Sequence, residues 1–294
     1  MLHFDEATLR KLEQLSLVAH RVRAGVVRGE RRSRKRGSSV EFADYRDYVQ
    51  GDDLRRLDWN IYARLERPFI KLLEDEEDVA VHILVDASAS MDWPDDGPTN
   101  KFSYGLYLAA GLGFIALAAG DQLGVALLRA ERQTTWGPHR SRGRSLELLR
   151  FLDKAQAGGV TDLNHSLRTF GLAARRPGLL LLLSDLLSPA GYRAGLSLLQ
   201  SRGHEIAILH LLSPDEVEPV AVGDVRLVDQ ETDAQTELTL DAASLGLYRR
   251  RLHEWRQEIA GYCRGLDIRY VPIVTDLGWD ALLLQVLRQQ GVLA

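Results

Sequence analysis

Three oxygen-bearing side chains occupy alternate positions in the stretch Asp86, Ala87, Ser88, Ala89, Ser90, directly after the apolar run of residues 79–85. In a segment that is still extended, a spacing of two turns side chains toward the same side. One carboxylate and two hydroxyls can therefore converge on one point. Neutral hydroxyls with a single carboxylate suit a small, hard divalent cation that keeps part of its water, as magnesium does. Two further oxygen groups fit the same scheme. Thr161 lies in GGVTDL ahead of a helical stretch, and Asp185 follows the leucine run 179–183. Gly158 and Gly159 would let the backbone come close. Asp86, Ser88, Ser90, Thr161 and Asp185 thus form a candidate site for Mg²⁺ or Mn²⁺. A purely structural use of the same residues has the two aspartates capping helices and the serines shaping turns.

For five residues so far apart to meet, each must sit at the same end of a common sheet. Residues 79–85, VAVHILV, read as a strand buried on both faces. Further strands are predicted over 123–129, 179–183, 205–212 and 268–274. Helices are predicted over 101–120, 145–155, 164–174, 189–200, 242–263 and 279–289, with another over 5–27 from the spacing of Leu9, Leu12, Leu15, Ala19, Val22 and Val26. Residues 225–240 read as a β-hairpin inserted late in the chain. Strands alternating with long helices imply an α/β fold, a Rossmann-like, mostly parallel sheet flanked by helices. Such sheets place their chemistry beyond the carboxyl ends of the strands, which singles out the residues after Val85 and Leu183.

The chain has 294 residues with 37 Lys plus Arg against 41 Asp plus Glu, a formal charge of -4. That balance gives no global attraction to nucleic acid. The basic run 28–39, RGERRSRKRGSS, reads as a solvated loop. Its alternative is a phosphate or acidic-partner contact, although no aromatic within it could stack on bases. The one cysteine, Cys263, rules out an intrachain disulfide framework and a zinc site of several thiolates. A reducing, cytoplasmic setting follows. The opening residues are charged through their apolar positions, unlike a secretion signal. Residues 102–120 are uncharged and near spanning length, yet they lie between two strands. They are read as the buried central helix, with no membrane insertion.

Residues 40–78 differ in texture, with acids, arginines and the aromatics Phe42, Tyr45, Tyr48, Trp59, Tyr62 and Phe69 interleaved. This is a small ordered module rather than a linker. Its charges are expected to pair with one another, and Trp59, like Trp255, is expected to pack. The domain division is then 1–78, with helix, basic loop and module, and 79–294.

Asp86, Ser88 and Ser90 with a distant threonine and aspartate resemble the metal-ion-dependent adhesion site of the von Willebrand factor A domain. Upstream, Gly51, Asp52, Asp53, Arg55, Asp58 and Trp59, followed by Ala63 and Arg64, resemble the hallmark of the bacterial family called domain of unknown function 58. The resemblance runs from about residue 37 to the last helix. Gln50 stands where many relatives have proline. What it implies is a von Willebrand A-like fold and an accessory or adaptor role beside a MoxR-type AAA ATPase. The partner, the ATPase or its client, would supply an Asp or Glu to the metal.

Two other classes stay open. An aspartate after a strand is also where Mg²⁺-dependent phosphatases of the haloacid dehalogenase type keep a nucleophile, but the second position here is Ser88 and the lysine such chemistry wants cannot be placed from sequence. A nucleic-acid binder acting through the basic loop would lose affinity steeply with salt and ignore chelation. A serine hydrolase is disfavoured by the absence of G-x-S-x-G, and His82 and His210 are expected to be packed within strands.

Overall fold

The computed structural model describes residues 2, 4–19, 41–49, 57–74, 79–95, 97–129, 133–220, 223–230 and 234–294. The basic run 28–39 and the motif residues Gly51, Asp52, Asp53 and Arg55 lie outside them. The chain divides into two compact units, Met1–Val26 with Val79–Ala294, and Val27–Asp78.

Helix α1 (Glu6–Leu12) opens the larger unit, its first turn capped by the Asp5 carboxylate, which accepts from the Thr8 N–H at 2.9 Å. The spacing predicts a helix over 5–27, but α1 ends at Leu12. Beyond it Leu15, Leu17 and Ala19 alternate with Ser16 and Val18 and are buried, which is strand periodicity. Leu17 bridges Leu293, and the Val18 N–H donates to Val292 O. Pairing with the C-terminus thus satisfies backbone groups that a longer helix would have used internally.

In the smaller unit β1 (Glu41–Asp47) runs antiparallel to β2 (Phe69–Glu74), with α2 (Trp59–Leu65) between them in sequence. Asp58 caps α2 through the Ile61 N–H at 3.2 Å. Trp59 does not pack as expected: it is 62% exposed, edge-on to Tyr62 at 6.1 Å. Leu57 and Asp58 take the buried positions, and the next residue turns outward.

The larger unit is built on a six-stranded sheet. Its strands are β3 (Ala80–Asp86), β4 (Gln122–Leu128), β5 (Thr134–His139), β6 (Leu179–Ser184), β7 (Glu205–Leu212) and β10 (Arg269–Val274), in the order β10-β7-β6-β3-β4-β5. All neighbours are parallel except β4 and β5. A separate ribbon of β8 (Gly223–Val228) and β9 (Gln235–Leu240) is the predicted hairpin. Both faces of the sheet are covered. Val81, Ile83 and Val85 with Leu179, Leu181 and Leu183 pack against α3 (Lys101–Ala118), near α4 (Ser145–Asp153). Leu84, Leu180, Leu182 and Ile208 face α5 (Leu163–Ala173), α6 (Arg193–Ser201) and, past α7 (Pro214–Val217), α8 (Ala242–Gly265). The chain closes with α9 (Trp279–Ala281), which runs on through a π turn. Alternate residues feeding two cores explain why these strands read as unbroken apolar runs. Helix α3 is long and apolar enough to cross a membrane, but most of it is buried within the protein.

Near the other end of β3, the His82 and His204 rings lie 5.4 Å apart, with Phe170 edge-on to His82. Burial, then repulsion from His82, pushes His204 down to about 4, and burial lowers His82 also. Unfolded chains bind a proton near the ordinary value of 6.5, whereas the fold resists until about 4. This part of the stability is therefore complete above 6.5 and is lost as pH falls toward 4. We expect His204→Phe to lose about 1–2 kcal/mol less than wild type between pH 7 and 4.5 in urea unfolding. Parallel losses would remove the assignment.

Candidate metal centre

Strand β3 crosses to β4 through α3, on one side, whereas β6 lies on its other side and crosses away to β7 through α6. The ends of β3 and β6 therefore flank the point where the winding of the sheet reverses, where open α/β sheets leave a crevice. Asp86 is the last residue of β3, and Asp185 follows the last residue of β6, with Val85 opposite Leu183 in the parallel register. Asp86 is 2% exposed and Asp185 1%.

Asp86 Oδ1 accepts from the Ser88 N–H at 3.1 Å, and Oδ2 from the Ser184 hydroxyl at 2.6 Å. The Ser88 and Ser90 hydroxyls lie 3.0 Å apart. A strap carrying Thr161 is clipped to this loop by two backbone bonds, Ala89 N–H to Gly159 O at 3.0 Å and Gly158 N–H to Ala87 O at 2.9 Å. Gly159 has φ +76, a conformation that a Cβ would strain. On the other side the Ser188 hydroxyl donates to Thr161 O at 2.8 Å, tying the strap to the segment after Asp185. All five predicted residues are thus drawn to one rim of the sheet.

Thr161 is 1% exposed, and its hydroxyl oxygen has no hydrogen-bond partner among the described residues. An orphaned buried hydroxyl costs about 1–3 kcal/mol. Carried on the strap clipped to the loop of Asp86, Ser88 and Ser90, such a hydroxyl is a donor of the kind a hard cation uses. Among the described residues no three His, Cys, Asp or Glu side chains group to hold a metal by themselves. A cation here must rely on hydroxyls, which suits Mg²⁺ or Mn²⁺ rather than thiolate- or imidazole-seeking ions.

Sequence reasoning missed a second layer. Lys101, at the start of α3, is 0% exposed, and its Nζ donates to Asp185 Oδ2 at 2.8 Å and Glu216 Oε1 at 2.5 Å. Glu216 is held in turn by a capping box with Ser213 at the start of α7. Asp185 Oδ1 accepts the Leu187 N–H at 3.1 Å, a turn made possible by Leu186 at φ +58. Such a backbone costs a branched residue about 1 kcal/mol or more. His210, expected only to pack, is buried but also anchors the site: its Nε2 meets Asp185 O at 3.0 Å and its Nδ1 meets the Tyr270 hydroxyl at 2.7 Å. A carbonyl only accepts, so Nε2 carries the hydrogen and Tyr270 donates to Nδ1.

The electrostatics follow from this packing. Burial, then repulsion from Asp185, pushes the Asp86 carboxyl up to about 6 despite its hydrogen bonds from Ser184 and Ser88. Burial pulls Lys101 down, but the two carboxylates outweigh it and hold the ammonium above its ordinary range. Burial drives His210 down to about 4, so the ring is neutral. The rim itself is partly apolar, with Val160 and Leu187 exposed beside Thr161 and Asp185.

The uncharacterized proteins Rv1480 of Mycobacterium tuberculosis and Mb1516 of Mycobacterium bovis are each 28% identical over 99% of this chain and 92% of their own. Two solved structures, the conserved hypothetical protein BatB from Bacteroides thetaiotaomicron and an aerotolerance-related membrane protein from Bacteroides fragilis, align over 72% of this chain and 98% of theirs. Both have a TM-score of 0.45, at 13% and 14% identity respectively. The family described as protein of unknown function DUF58 matches over residues 44–257, which take in most of the module and the rim residues Asp86, Ser88, Ser90, Thr161 and Asp185. The chain belongs to the DUF58 family.

Proposed function

We propose that the chain is a von Willebrand factor A-like, metal-dependent protein–protein interaction module, an adaptor for a MoxR-type AAA ATPase or its client in the cytoplasm. The observation that carries this reading is the buried, unpartnered Thr161 hydroxyl, on a strap that backbone bonds clip to the loop of Asp86, Ser88 and Ser90. In this reading Asp86, Ser88, Ser90 and Thr161 hold Mg²⁺ or Mn²⁺, and Asp185 acts from behind, fixed by Lys101 and Leu187. A bound divalent ion would supply positive charge and an exchangeable position for a partner's Asp or Glu. Val160 and Leu187 offer apolar contact around that carboxylate. The phosphatase alternative has less support, because the buried lysine is committed to Asp185 and Glu216 rather than Asp86.

The test is thermal unfolding against Mg²⁺. At a hundredfold excess over Kd, linkage predicts about 2.7 kcal/mol, a rise in Tm of roughly 3–5 °C. EDTA should reverse it, and Asp86→Ala, shown to be folded by circular dichroism, should not respond. Equal responses from wild type and Asp86→Ala would overturn the proposal.

A further inference from the structure

Lys101 is the one charged residue in residues 101–120, and it stands in the first turn of α3, where a helix disfavours a cation. A fully buried ammonium at that position needs a reason. Its two contacts supply one. It occupies Asp185 Oδ2, while the Leu187 N–H occupies Oδ1, so both oxygens of Asp185 already carry a donor. It also brings Glu216, anchored by the Ser213 capping box, into the same cluster.

Building on the metal-docking reading above, we infer that Lys101 is a tethered counter-cation that holds Asp185 out of direct metal ligation and limits the divalent affinity of the site, keeping the loaded cluster neutral rather than negative toward the partner's carboxylate. The charge balance makes the point. When ionised, Asp86, Asp185 and Glu216 against Lys101 leave two net negative charges, which one divalent ion cancels. Without the lysine the loaded cluster would stay negative by one and would repel an incoming carboxylate. Lys101 is thus a positioning residue: it trades affinity for the metal against affinity for the anion.

The experiment is direct titration of Mn²⁺ into wild type, Lys101→Met and the double variant Lys101→Met/Glu216→Gln, read by isothermal calorimetry and by loss of the free-ion electron paramagnetic resonance signal. Lys101→Met is expected to bind Mn²⁺ at least about tenfold more tightly than wild type, since an adjacent positive charge is gone and an Asp185 oxygen is freed. The double variant has the same formal cluster charge as wild type, so any tightening it keeps, about threefold or more, reports the freed oxygen alone. Tightening in either folded variant supports the inference, including the case where wild type itself binds too weakly to measure. Wild-type binding with unchanged or weaker affinity in the variants overturns it and leaves the metal reading standing. So does failure of both variants to give the native circular dichroism spectrum, which would make Lys101 a structural residue. Absence of Mn²⁺ binding in all three removes the metal reading and this inference with it.

Discussion

Lys101→Met should cost the metal-free protein about 3–5 kcal/mol in urea unfolding at neutral pH, because it leaves buried carboxylates without their cation. The partners decide the size. Asp185 and Lys101 side chains are 1% and 0% exposed, and Glu216 is 20% exposed, so neither carboxylate regains much water once the ammonium is gone. Surface pairs in the same chain set the contrast. Arg193 and Glu258, with side chains 50% and 63% exposed, should be worth about 0–1 kcal/mol. Adding Glu216→Gln removes one stranded charge and should restore part of the loss. A cost under about 1 kcal/mol for Lys101→Met would mean that the triad is hydrated and does not organise the rim.

The sheet was legible because its interior strands are buried on both faces. The leucine run and residues 205–212 could be read from apolarity alone, and the latter strand has the predicted bounds. Strand β5 was not foreseen, since Thr134–His139 is polar, contains Gly137 and Pro138, and pairs only with β4 at the edge. Helix α7 was missed because four residues give no period to detect. That Asp86 and Asp185 share a rim was legible through topology, because strand ends in a parallel sheet meet there whatever the spacing in sequence, whereas Thr161 is brought near by a strap between two helices. Lys101 was not, because its partners Asp185 and Glu216 stand 84 and 115 residues away. Its only local sign was a positive charge at the wrong end of an apolar helix. Trp59 was misjudged for the opposite reason. An aromatic in a short amphipathic stretch suggests burial, yet the neighbouring Leu57 and Asp58 took the inner positions.

Asp86→Asn should behave in opposite ways with and without a divalent ion. In the metal-free protein the Asp86 carboxyl is pushed from 3.8 up to about 6 by burial and by Asp185, so the fold favours its neutral form. The stability it contributes is complete below about 3.8 and is lost as pH rises through 6. At pH 7.5 the ionised group therefore burdens the metal-free fold by about 2–3 kcal/mol. Asparagine removes that burden, its amide oxygen keeps the Ser88 N–H bond, and its amide nitrogen can donate to the Ser184 oxygen. We expect the variant to be about 1–3 kcal/mol more stable than wild type in EDTA at pH 7.5, with the advantage gone near pH 4. The histidines titrate in the opposite sense over this range, so the quantity to follow is the difference between variant and wild type. With Mg²⁺ present the order should reverse, because only the carboxylate supplies the charge that a bound ion rewards. A variant that is less stable than wild type in both conditions would show that Asp86 serves the fold through its hydrogen bonds, and that the rim was never poised for a cation.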